Sequence, residues 1–255
     1  SARRANIEAT RDSISYAEAL REASQLPDAR REARRALESA VAMGELSLEA
    51  EARIALAGVE DDLGEHLDAE EQLRLALQAA IVSRNDAAAT TALHRLAWVV
   101  GYELARHEEG RKLCAQARAW SSRLGVKYDN ALSLQLSLGW IEKDSGDPVA
   151  ALRHFDTAAA LARAQPTSSP MAAYDLGLAL NGIGACQLAV GDLEQAEQAF
   201  AQSTALLEAK LGSAHPKVAQ VENNRAGVLR GLARFQAAHD VFVRTRKLFA
   251  EAYDP

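Results

Sequence analysis

The feature that most restricts what this chain can fold into is a trio of packing residues, two small and one large, that returns every forty-odd positions. The clearest copy reads Asn181-Gly182-Ile183-Gly184, then Gly191-Asp192-Leu193, Ala196, Phe200 and Ser203. It returns as Asn223-Asn224-Arg225-Ala226, Ala233-Arg234-Phe235, Ala238, Phe242 and Thr245. Earlier copies run Leu138-Gly139-Trp140, Gly146-Asp147, Ala151, Phe155, Ala158, and Leu56-Ala57-Gly58, Gly64-Glu65-His66, Ala69, Leu73, Ala76. Ala97-Trp98, Ala105-Arg106-His107, Gly110, Cys114 and Ala117 form a looser copy, and Ala29, Ala33 and Ala36 the second half of a first one. With Ala57, Trp98, Gly139, Gly184 and Ala226 taken as equivalent, the spacings by subtraction are 41, 41, 45 and 42 residues. A repeat of this length is one supersecondary unit that cannot bury its apolar face alone, so copies must stack.

Within each copy a small residue on a first helix (Ala57, Gly139, Gly184, Ala226) faces a small one on a second (Ala69, Ala151, Ala196, Ala238), which lets the two backbones approach. A large residue four places on fills the space toward the next pair. The Gly-Asp or Gly-Glu between them ends one helix in a left-handed cap and puts an acid at the start of the next. Only 5% of residues are aromatic against 48% hydrophobic, the balance that close helix packing on alanine and leucine requires. The fold class expected is all-α, with about six antiparallel helix pairs at 5–42, 47–83, 87–124, 128–164, 172–210 and 216–252, stacked as one solenoid over 1–255. Gln165-Pro166-Thr167-Ser168-Ser169-Pro170 is expected as an exposed loop that absorbs the longest spacing. The chain stops at Ala252-Tyr253-Asp254-Pro255 without a polar capping helix, so the natural protein is expected to continue.

The pattern resembles the tetratricopeptide repeat, in the longer variety found in kinesin light chains, whose connector Leu211-Gly212-Ser213-Ala214-His215-Pro216 is similar to theirs. HEAT repeats share the period but lack this Gly-Asp turn. The resemblance implies a right-handed superhelical solenoid whose first helices line a concave, partner-holding groove. Leu96 to Gly110 departs from the consensus and is similar to a segment of the tetratricopeptide regions that follow the kinase domain in bacterial Ser/Thr protein kinases of the myxobacterial kind. Leu48-Glu49-Ala50-Glu51-Ala52, Asp68-Ala69-Glu70 and Asn223-Asn224 sit in the same order there. That likeness implies a regulatory or sensor region of a signalling kinase. It implies a cytoplasmic location, or the far side of a membrane where a kinase and its repeats are split by a membrane helix.

Other classes find little support. The formal charge of −6 argues against nucleic acid as a partner. No apolar run approaches the length needed to span a bilayer. Cys114 and Cys186 lack metal or redox spacing, and the six histidines show no His-x-x-x-His pair, so neither metal nor cofactor is expected. There is no Gly-x-Ser-x-Gly, and no Gly-rich phosphate loop, His-Arg-Asp or Asp-Phe-Gly, so this chain is not expected to be an enzyme. Gly182-x-Gly184 lacks the third glycine and the strand of a dinucleotide fingerprint and reads as a packing pair.

Counting along the first helices gives the groove lining as Ile54, Gly58, Asp61; Arg95, Val99, Tyr102; Leu136, Trp140, Lys143; Asn181, Ala185, Leu188; and Asn223, Gly227, Arg230. Among these, Asn181 and Asn223 offer donor and acceptor to an extended peptide backbone, as the resemblance to peptide-binding members also implies. Trp140 and Tyr102 offer cover for an apolar side chain, and Arg95, Lys143 and Arg230 offer charge to carboxylates. The partner expected is therefore a protein or extended peptide, with a purely architectural or oligomerising module as the alternative. Glu45, Glu49, Glu51, Glu60, Asp61, Asp62, Glu65, Asp68, Glu70 and Glu71 are either a docking patch or a solvated face. Opposite them in charge, Arg225, Arg230, Arg234, Arg244, Arg246 and Lys247 leave head-to-tail self-association open.

Overall fold

The computed structural model describes residues 2–124, 129–166, 169 and 171–253. Among them are twelve α-helices, one π-helical turn and no strand. Residues 1–130 and 131–255 form two compact units. In the first, α1 (Ala2–Glu22), α2 (Leu26–Met43), α3 (Leu46–Asp62), α4 (His66–Ser83), α5 (Asp86–Trp98) and α6 (His107–Leu124) run back and forth, with the π-turn Val99–Glu103 closing α5. In the second are α7 (Asp129–Asp144), α8 (Pro148–Ala164), α9 (Ala172–Ala189), α10 (Leu193–Leu211), α11 (Pro216–Gly231) and α12 (Phe235–Tyr253). Sequential helices pack on one another from α1 to α6 in the first unit and from α8 to α12 in the second, and first helices also touch: α1 with α3 and α3 with α5 in one unit, α9 with α11 in the other. No described helix is long and apolar enough to cross a membrane.

The caps explain where the helices begin. Asn85, Asp147 and Asp192 each accept a hydrogen bond at the side chain from the amide three residues on, at 3.0, 2.8 and 3.2 Å. Pro27, Pro148 and Pro216 stand in first turns, where a missing amide hydrogen costs nothing. The turns inside the pairs share one geometry, a left-handed residue followed by an amide that bonds a carbonyl five residues back, as Glu65 does to Glu60 and Asp192 to Gln187. Gly64, Gly146 and Gly191 take the left-handed position freely, but Ala105 and Ala233 occupy it at φ 52° and 58°. Ala233→Gly is therefore expected to raise stability by about 1 kcal/mol, read as a higher urea midpoint.

The third pair breaks the pattern by one residue. Its turn amide, Arg106, reaches six residues back to Val100, and Leu104 bonds Val99 five back where Leu63 bonds Val59 four back. The π-turn thus holds one extra residue. Upstream of it the register moves: Ala97 is wholly buried, whereas Trp98 is only half-buried. The equivalence of Trp98 with Ala57 and Gly139 is corrected accordingly. Ala97 is the small packing residue, and the spacings on either side of it become 40 and 42.

The two units solve the packing problem with different side chains. Unit 1 closes on alanine: Ala17 and Ala33 meet Leu56, and Ala36, Ala40, Ala52 and Ala55 gather with Ile14 and Leu48. Unit 2 seats phenylalanine rings on glycines. Phe155 and Phe200 are fully buried, and a Cβ on Gly182 or Gly139 would lie 2.3 or 2.6 Å from the Phe155 ring, one on Gly184 2.9 Å from Phe200. Phe242, at the same repeat position in α12, stays 37% exposed. Of the expected 165–170 loop, Thr167, Ser168 and Pro170 lie outside the described residues, as do 125–128 and the final Asp254 and Pro255.

Ion pairs link neighbouring helix pairs near both ends of the chain and engage part of the charge singled out in the sequence. Glu45 binds Arg3, Glu49 Arg53, Asp62 Arg21, Glu65 Arg30, and Glu70 both Arg74 and Arg106. At the other end Arg225 binds Glu197, Arg234 Glu194 and Arg244 Glu208. Part of the acidic run and part of the basic end are thus paired within the chain.

Candidate functional site

In unit 1 the first helices lie side by side and border an open cavity of about 380 Å³. One helical face of α1 builds one wall, since Arg11, Ile14, Ser15 and Glu18 recur at the three- and four-residue spacing that shares a face. Glu51 and Ile54 of α3 form the middle, and Asn85, Ala87, Ala88 and Thr91 at the start of α5 form the far wall. The floor is apolar: Ile14, Ile54 and Ala88 are 8%, 5% and 5% exposed. The rim is polar and partly locked. Asn85, already capping α5 through its oxygen, donates its amide to Ser47 Oγ at 2.9 Å and Glu51 Oε1 at 3.0 Å, and Arg11 stands 3.8 Å from Glu51.

Beside this cavity along α3 lies a charged layer. Arg95 reaches from α5 to donate its Nη1 to the Ile54 carbonyl at 3.2 Å. It passes over Gly58, where a Cβ would stand 2.2 Å from that nitrogen and 3.4 Å from Arg21 Nε. Arg21 pairs with Asp62 at 3.0 Å. Asp61 is bonded to His66 at 2.9 Å, and the other ring nitrogen of His66 lies 3.6 Å from Glu103 on the π-turn. Burial pushes the Asp61 carboxyl up while the His66 bond pulls it down, and burial lowers the Arg95 guanidinium, with the nearby Arg21 adding to the effect. His94, also held by burial, drops to about 4 and is neutral.

The residues expected to line a groove are distributed over both units. Arg95 is half-buried in the layer just described, its charge facing Glu18, Asp62 and Asp61 of its own unit. Tyr102 sits on the π-turn with its ring 4.5 Å from that of Trp98. In unit 2, Trp140 meets Phe155 edge-on at 5.3 Å and carries Lys143 over its face at 5.8 Å. Asn181 is half-buried, with Oδ1 enclosed and unbonded, an acceptor without a donor. Asn223 and Arg230 are exposed. Among the described residues no cluster of His, Cys, Asp or Glu has the arrangement of a metal site, and Cys114 and Cys186 are buried and not joined by a disulfide.

Sequence reasoning missed the whole α1 wall and the Asn85–Thr91 wall. The signal for α1 was present, because Ile14 and Ala17 stand forty residues before Ile54 and Ala57 and repeat their roles.

Comparisons with known proteins agree with this architecture. The family model described as Tetratricopeptide repeat matches residues 175–251, which lie in α9 to α12. No curated protein sequence matches the chain. Among solved structures, BtubC (BKLC) from P. vanneervenii is 17% identical, covering 100% of this chain and 94% of its own, with a TM-score of 0.63. The Rap protein complexed with Competence and Sporulation Factor is 16% identical over 97% of this chain and 78% of its own, at 0.70. NprR in complex with its cognate peptide NprX is 14% identical over 93% and 66%, at 0.68. At these identities the likeness concerns the fold: all-α, tetratricopeptide-like stacks of antiparallel helix pairs.

Proposed function

We propose that this chain is a non-enzymatic scaffold that holds an extended peptide or a peptide-like segment of a partner protein against the first-helix face of unit 1. The observation that carries the reading is the cavity between α1, α3 and α5, with its apolar floor and polar rim. Two proteins that share the fold, Rap and NprR, were solved with a factor or peptide bound, which supports the same use here. In unit 2, Trp140, Lys143, Asn181, Asn223 and Arg230 are a second candidate surface, where the open acceptor of Asn181 would take a backbone amide of the peptide. The finer reading, a regulatory region of a bacterial Ser/Thr kinase, rests on the resemblance of Leu96 to Gly110, the segment that contains the π-turn.

The test is a phage-displayed random peptide selection on the intact chain, followed by titration of the enriched peptides against Thr91→Trp. Thr91 is exposed at the cavity wall, so an indole there blocks the space without entering the core. Peptides that use the cavity are expected to lose affinity by on the order of tenfold or more, the equivalent of about 1.4 kcal/mol. Enriched peptides that are all insensitive to Thr91→Trp overturn the unit 1 site, and a selection that enriches no peptide at all favours the architectural alternative.

A further inference from the structure

We infer that the unit 1 cavity selects a basic side chain, lysine or arginine, from its peptide, with the aliphatic stem on the Ile14–Ile54 floor and the cation against Glu18. The inference rests on the peptide-groove reading above and adds the chemical class of the residue held.

Most of the charges around the cavity are already spoken for. Glu51 accepts from Asn85 and faces Arg11, so its charge is engaged. Glu18 lines the same cavity, half-buried, and makes no hydrogen bond or ion pair among the described residues. The guanidinium of Arg95 feels Glu18 first among the acids near it, but at a distance that makes no ion pair, and it is bonded to the Ile54 carbonyl and shared with Asp62 and Asp61. Arg21 is likewise tied to Asp62. Around the cavity and the charged layer beside it, the carboxylates Glu18, Glu51, Asp61, Asp62 and Glu103 thus outnumber the guanidiniums Arg11, Arg21 and Arg95. A carboxylate kept beside an apolar floor with no donor of its own gains most from a ligand that brings one.

The shape of the site narrows the class. A lone ammonium or metal ion would leave Ile14, Ile54 and Ala88 uncovered, and a purely aliphatic residue would bury Glu18 without a partner. Lysine and arginine carry both parts, a hydrocarbon stem and a terminal cation. An acidic residue is rejected by Glu18 and Glu51 together.

The test uses peptides from the selection that Thr91→Trp weakens, synthesised with acetylated and amidated ends so that side chains carry the only charges. Each lysine is replaced by norleucine or each arginine by citrulline, and binding to the intact chain and to Glu18→Gln is measured calorimetrically. For one basic position the neutral replacement is expected to cost about ten- to a hundredfold on the parent, in the range of a charge-assisted hydrogen bond, and about twofold on Glu18→Gln. Equal losses on both proteins, or cavity-dependent peptides with no basic residue, would overturn the inference while leaving the groove reading intact. If no peptide depends on the cavity, the groove reading fails and this assignment falls with it. Glu18 makes no hydrogen bond or ion pair among the described residues, so Glu18→Gln is expected to melt close to the parent, and circular dichroism checks this.

Discussion

Phe155→Ala is expected to destabilise unit 2 by about 3–5 kcal/mol, measured as a drop in the urea midpoint followed by circular dichroism. The ring is 0% exposed and belongs to a cluster with Ala151 and Cys186. It is also the object on which two helices rest, because Gly139 of α7 and Gly182 of α9 both lie against it. Neither backbone can follow the missing ring inward without breaking its own helix, so the cavity persists. The same geometry makes the neighbours interdependent. Gly182→Ala in the parent drives a methyl to 2.3 Å from the ring and is expected to cost about 1–3 kcal/mol. In the Phe155→Ala background the same methyl enters vacated space, so the double variant should be more stable than the sum of the singles allows.

Glu60→Gln is expected to stabilise unit 1 at pH 8 and to change little at pH 4.5. Glu60 is 3% exposed on α3, and its Oε2 is buried with no hydrogen bond. Burial, helped by Asp68 and Glu65 and opposed by Arg30 and Arg34, pushes its carboxyl up from 4.5 to about 7. Below the lower value the acid is neutral in both folded and unfolded chains. Between the two, the folded chain holds a proton that the unfolded chain releases, so stability falls as pH rises. Above about 7 both forms are charged and the penalty is complete, on the order of 3 kcal/mol at roughly 1.4 kcal/mol per pH unit. Glutamine removes the titration. Urea midpoints for parent and variant should therefore converge at pH 4.5 and separate by pH 8.

Much of the fold was legible because its signals are local. The Gly-Asp turns at Gly146 and Gly191 announce themselves by residue type, and small residues such as Ala151 and Ala196 mark contacts that tolerate nothing larger. The division into two compact units at Asn130 was not legible, since Gly125 and Asp129-Asn130 read like any other connection between helix pairs. The site was less legible than the fold. Groove positions counted from a packing residue hold only while the helix keeps its period, and the π-turn shifted that count for Arg95 and Val99. Beyond it the count recovers: Tyr102 stands five residues after Ala97, where Lys143 stands four after Gly139. That Glu18 makes no ion pair among the described residues was out of reach for another reason. Whether a carboxylate finds a partner depends on contacts from α3 and α5, at separations along the chain that local patterning does not encode.

The surplus residue in the third pair behaves like a frameshift repaired within the same exon. Widening one helical turn swallows the insertion, and from Leu104 onward the chain is back in phase with its siblings. Deleting one residue between Val99 and Glu103 would restore a uniform spiral at the cost of swinging Trp98 or Glu103 by about 100° around the axis. The histidine that Glu103 now faces on α4 would then lose its second acid, so a length change too small to notice in a loop is, here, wired into the charge layer beside the cavity.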